Sequence, residues 1–113
     1  GVNTVAAAEA FALANSAGVD IKIAADLLAV SWGGSTMVDR SAPITAARDF
    51  EHSAAPVRNL DKDMGIIKQL ASDEGLALDL AIQVQRMFAE MIAQGKNEHD
   101  IAAVLEIIEE RSS

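Results

Sequence analysis

Cysteine is absent from these 113 residues. That excludes disulfides and thiolate-bound zinc. It fits a reducing compartment, and we expect a cytoplasmic protein. Basic residues are scarce: nine Lys and Arg stand against 17 Asp and Glu, for a formal net charge of −8. Nucleic-acid binding needs Lys and Arg to neutralise phosphates, and a polybasic membrane patch needs the same surplus, so neither nucleic acid nor membrane is an expected partner. Long hydrophobic runs are also missing. The longest, 5–14, is broken by Glu9 and falls short of the ~20 residues a spanning helix requires. No segment reads as a signal peptide. Gly1 is not Met, and we expect the sequence to be part of a longer chain.

Chemical signatures are equally sparse. There is no G-x-G-x-x-G turn and no phosphate-binding P-loop. His52 and His99 lie far apart without metal-ligand spacing, so they read as exposed polar residues, and no metal site is expected. Glu109-Glu110 reads as a solvated terminal face, and no Ser-His-Asp order can be assigned.

Half of the residues are hydrophobic, enough for a buried core in one domain over 1–113. No stretch alternates apolar and polar residues, and Ala is abundant, so the fold class is all-α with about six helices. The spacing predicts helices over about 4–17, 21–31, 35–42, 60–74, 79–94 and 98–110. Asn3, Asp20 and Asn59 are placed as N-caps, and Gly18, Gly75 and Gly95 as stops. Pro43 is expected to cut the third helix short and leave 45–57 as a surface loop. The inward positions are Leu60, Met64, Ile67, Leu70 and Ala71 on the fourth helix, and Leu80, Val84, Met87, Phe88 and Met91 on the fifth. On the sixth they are Ile101, Val104, Leu105 and Ile108.

Two features stand out against this pattern. Only Glu9, Asp20, Lys22 and Asp26 are charged before Asp39; the other 22 charges follow. The first helix is apolar nearly all round, so it is either a central core helix or is covered by another domain or subunit. Second, Asp61-Lys62-Asp63 falls in the predicted first turn of the fourth helix. Acids suit that end, whereas Lys62 does not. Lys62 is either an exposed lysine neutralised by its neighbours or a cation aimed, with the helix N-terminus, at an anionic ligand. Segment 24–40 has the outline of a helix-turn-helix, but Asp39 beside Arg40 and the acidic balance speak against DNA.

The ordered set of residues resembles the C-terminal part of the 3-hydroxyisobutyrate dehydrogenase family, the β-hydroxyacid dehydrogenases. The matching features are Glu9, Ala10, Ala17, Gly18 and Asp20; the turn 31–36, SWGGST; the pair Lys62-Asp63; and Gly95, Asp100, Ile101 and Val104. The resemblance covers nearly the whole chain and implies a helical bundle like the C-terminal domain of 6-phosphogluconate dehydrogenase. It implies NAD or NADP as cofactor and a small hydroxy acid as substrate. It also implies a homo-oligomer and an N-terminal Rossmann domain absent from this chain. By the same resemblance no catalytic residue lies here: the family's catalytic lysine would fall roughly two helical turns before Gly1, and Asn3 does not replace it. By the same resemblance Lys62 contacts the cofactor, and Asp63, Phe50 and Ser35 line the interdomain cleft. The first helix would continue the long interdomain helix and pack against a neighbouring subunit. The alternative from the residues alone is a helical dimerisation module without catalysis.

Overall fold

In a computed structural model, which describes residues 1–112, six α-helices follow one another: α1 (Val2–Ser16), α2 (Ile21–Ala29), α3 (Thr36–Ala47), α4 (Val57–Asp73), α5 (Asp79–Ala93) and α6 (Val104–Ser112). A 3-10 turn, Ile101–Ala103, leads into α6. Among the described residues there is no strand; Pro56 and Asp100 form a single antiparallel bridge. Among the described residues no helix is long and apolar enough to cross a membrane.

Capping explains most of the boundaries. The Asp20 carboxylate accepts from the N–H groups of Lys22 and Ile23, and Ser35 Oγ accepts from Val38 N–H at 3.1 Å. Asp100 caps the 3-10 turn by accepting from Ala102 N–H at 2.8 Å. The sixth helical segment therefore starts after Asp100 rather than at Glu98. The fourth helix starts three residues earlier than the sequence suggests, at Val57 behind Pro56. No side chain caps it. Instead Val57 N–H donates to His99 C=O at 2.8 Å and Arg58 N–H to Asn97 C=O at 2.9 Å, so a distant segment satisfies its free donors. Asn59 is inside the helix, not its cap, and Asn3 likewise lies within α1.

Pro43 does not end α3, which runs through it to Ala47. Burial of Val38, Ser41, Ala42 and Thr45 holds this helix in place despite the missing donor. Arg48 then terminates it in the left-handed region at φ 49°, and its guanidinium makes a bidentate pair with Glu109 on α6. The irregular loop is thus 48–56.

Helix α1 is the hub. It packs on the α2–α3 pair, on α5 and on α6, while α4 lies chiefly along α5. Phe11, Phe88, Met91, Leu105, Ile107, Val57 and Val104 are fully buried. The inward positions hold at Met64, Ala71, Val84, Met87, Phe88, Met91, Ile101, Val104 and Leu105. Leu80 and Leu70 point outward, at 67% and 60% exposure, and Ile67 is also exposed. Nor is α1 buried all round by its own chain. Thr4, Val5, Ala7, Ala8 and Phe11 face the core, but Ala6 is exposed and Leu13 is 73% exposed.

One polar knot ties the halves together. The buried Asp100 carboxylate receives both terminal nitrogens of Arg40 from α3, at 3.0 and 2.5 Å, and Ser53 Oγ donates to it at 2.7 Å. Burial pushes the Asp100 carboxyl up, but the hydrogen bonds from Arg40, Ala102 N–H and Ser53 outweigh it and hold it below its ordinary range. The Glu109 carboxyl is also lowered, by the hydrogen bond from Arg48.

Candidate functional site

The first turn of α1 organises the residues singled out by sequence. On one side Gly1 lies against α4 and α5: a Cβ there would stand 2.7 Å from Met64 Sδ and 3.5 Å from Val84 Cγ1. Lys62 and Asp63 lie in the α4 turn just before Met64, the residue that packs against the start of α1. On the other side a groove of about 400 Å³ is floored by Ala6, Ala7 and Ala10, with Asn3, Trp32 and Ser35 along its rim.

That groove exists because the turn after α2 is tight. A Cβ on Gly34 would stand 2.6 Å from the Leu28 carbonyl oxygen, so only glycine lets the turn fold back onto the end of α2. Ser35 follows, with its hydroxyl occupied as the α3 cap, and this fixes the groove's edge.

Lys62 is 67% exposed, and Asp63 Oδ1 lies 3.3 Å from its Nζ. Because α4 begins at Val57, Lys62 lies in the second turn. The α4 N-terminus therefore does not reinforce its charge, and that part of the sequence argument falls. Beside it, Asp61 has one carboxylate oxygen buried without a hydrogen-bond partner. An exposed ion pair of this kind holds its members weakly, so the Lys62 ammonium is available to an anionic group arriving from solvent. A dinucleotide phosphate or ribose is chemically suited to it, and in that respect the residues fit a nicotinamide cofactor.

Ser35 lines the groove on α1, Lys62 and Asp63 form an exposed pair on α4, and Phe50 belongs to neither. Its side chain is buried in the core, and its carbonyl accepts from Asp100 N–H at 2.7 Å. His52 is exposed, with Nδ1 3.3 Å from Asp49 Oδ1. His99 is half-buried, and its Nδ1 has no hydrogen-bond partner. No group of three metal-ligating side chains occurs among the described residues. The groove itself was not legible in the sequence; Gly33-Gly34 was the one signal that a tight turn stood there.

Comparison with known proteins places the chain in a family. A family model described as NAD-binding of NADP-dependent 3-hydroxyisobutyrate dehydrogenase matches residues 1–108. L-Threonate dehydrogenase of Haemophilus influenzae is 30% identical over 110 residues, covering 95% of this chain and 35% of that protein. The enzyme of that name from Cupriavidus necator is 32% identical over 107 residues, covering 95% and 36%. A crystal structure of 3-hydroxyisobutyrate dehydrogenase from Salmonella typhimurium superimposes with a TM-score of 0.89 at 29% identity, covering 94% of this chain and 37% of that one. The Mycobacterium tuberculosis 3-hydroxyisobutyrate dehydrogenase shares the fold, with a TM-score of 0.84. The chain spans about a third of the length of the curated relatives it matches. On the family match over residues 1–108, this chain belongs to the NAD-binding family of NADP-dependent 3-hydroxyisobutyrate dehydrogenase.

Proposed function

We propose that this chain is the helical domain of an NAD(P)-dependent dehydrogenase acting on a short-chain hydroxy acid in the cytoplasm. A dinucleotide-binding domain outside this sequence holds most of the cofactor and the proton-transferring lysine, and the present domain supplies the facing wall. The observation that carries this reading is the exposed Lys62–Asp63 pair on α4, in the turn before Met64, which packs against the start of α1. In this reading Lys62 holds an anionic or hydroxyl group of the cofactor by a charge-assisted hydrogen bond. Asp63 keeps the ammonium oriented, and the Ala6–Ala10 floor excludes water from that side of the cleft. The cofactor, when bound, supplies hydride acceptance or donation. The outward faces on α2 and on the α4–α5 pair support self-association.

Among the described residues no nucleophile, base and orienting group stand together, so the 113-residue chain is expected to show no turnover by itself. Short hydroxy acids and NAD(P) would be supplied to it, and then to the protein with the dinucleotide domain attached. Absorbance of the reduced nicotinamide should rise only in the second case. Turnover by the isolated chain, or none in the longer protein with any short hydroxy acid, would contradict the proposal.

A further inference from the structure

Lys62 is carried by a helix that grips the bundle along a narrow line. Helix α4 buries Val57, Met64 and Ala71, spaced seven residues apart, while Ile66, Ile67 and Leu70 are exposed. A seam this thin sets the direction of a helix more firmly than its rotation about its own axis. No side chain caps the N-terminus. The rotation of the first turns, and with it the aim of Lys62, is therefore set by whatever holds that end.

The segment 97–101 holds it. Val57 N–H and Arg58 N–H donate to the carbonyls of His99 and Asn97, and Pro56 bridges to Asp100. Just before the helix, Ala55 C=O accepts from Ile101 N–H at 3.1 Å. Arg58 Nε also donates to Glu98 Oε1 at 2.7 Å, but both side chains are exposed, and such a pair holds weakly. These bonds fix α4 only as well as 97–101 is itself fixed.

Asp100 supplies that anchor. From one side its carboxylate accepts from both terminal nitrogens of Arg40 on α3. From the other it accepts from Ser53 Oγ, and Ser53 Oγ in turn accepts from Ala55 N–H at 2.8 Å. A line of hydrogen bonds thus runs from α3 through Arg40, Asp100, Ser53 and Ala55 to the residues that open α4. Its central bonds are charge-assisted, and the Arg40 contact is bidentate, the geometry that restricts orientation most. Asp100 is 1% exposed, so water does not compete for it. Lys62 stands five residues beyond Val57, roughly 7.5 Å along the axis, so a helix turned at its start carries that turn to the ammonium.

We propose that Arg40, Asp100 and Ser53 are positioning residues for Lys62. They act through the rotation of α4 and not on the cofactor directly. This rests on the reading of Lys62 as a cofactor contact.

A double-mutant cycle on cofactor affinity, in the protein with its dinucleotide domain attached, tests it. NAD and NADP would each be titrated by fluorescence into the parent, Ser53→Ala, Lys62→Ala and the variant carrying both changes. Ser53→Ala cuts the link to Ala55 but keeps the Arg40–Asp100 pair, so the helical circular dichroism should be retained. Alone it should weaken affinity about threefold; with Lys62 already replaced by Ala it should have no further effect. Arg40→Leu should behave in the same way, about fivefold, and Arg40→Lys, which keeps the charge without the fork, should fall between it and the parent. Should Arg40→Leu fail to fold, Ser53→Ala decides alone. A loss of equal size with Lys62 present or absent would overturn the proposal, because the knot would then act on the domain as a whole. Unchanged affinity in folded Ser53→Ala, with Lys62→Ala weakened, would overturn the positioning role and leave the cofactor role of Lys62 standing. Parent-like affinity in Lys62→Ala would contradict that role itself.

Discussion

Asp100 shows how much one side chain can carry. Its carboxylate is buried and joins α3, the 48–56 loop and the start of the 3-10 turn through Arg40, Ser53 and Ala102. Removing Arg40 leaves a buried charge without its partner, which costs about 3 kcal/mol. Arg40→Leu should therefore lower the urea midpoint substantially at neutral pH. The acid response has a definite sign. The folded-state carboxyl of Asp100 is held below its ordinary value, so its ionised form is favoured by folding. That stability is fully present above the ordinary carboxylate range, about pH 4, and is lost as pH falls through the lower folded value. Glu109 adds to the same trend. Urea melts of Asp100→Asn from neutral to acid pH should start lower and fall less steeply below about pH 4 than those of the parent. An unchanged slope would remove Asp100 from the account of acid sensitivity.

Among the helices, two glycines make opposite tests. Gly34 presses on the α2 carbonyls, and Gly34→Ala must displace backbone, at a cost of about 1–3 kcal/mol. Gly65 lies within α4 with open space where a Cβ would go, so Gly65→Ala should stabilise by about 0.5–1 kcal/mol. Thermal melts of the two variants should move in opposite directions; a shared direction would contradict the packing described. The helices themselves were legible because the 3.6-residue period and the cap Asp20 act within a few residues. What was not legible depended on partners distant in sequence. The start of α4 is set by the carbonyls of Asn97 and His99, and Pro43 is carried by the burial of its neighbours. Leu80 and Leu70 read as inward because periodicity finds an apolar stripe but not what covers it. Phe50, expected beside the cleft by resemblance, is buried in this domain, and a loop has no period from which its facing could be inferred.

At the scale of the whole molecule, exposed apolar side chains on α2 and α4 lie on an acidic domain. The candidate site offers an exposed cation and a groove edge. The pair Lys62-Asp63 was readable as a pattern; the packing of the next residue, Met64, against the start of α1 was not, since nothing local relates residue 64 to residue 1. The most direct test is cofactor affinity in the protein with its dinucleotide domain attached. Lys62→Ala should weaken NAD(P) binding about tenfold by fluorescence titration, the loss of one charge-assisted hydrogen bond. Lys62→Arg should recover part of it, and added salt should narrow the difference. Equal affinity for the parent and Lys62→Ala would contradict the assignment of this domain as a wall of the cofactor cleft.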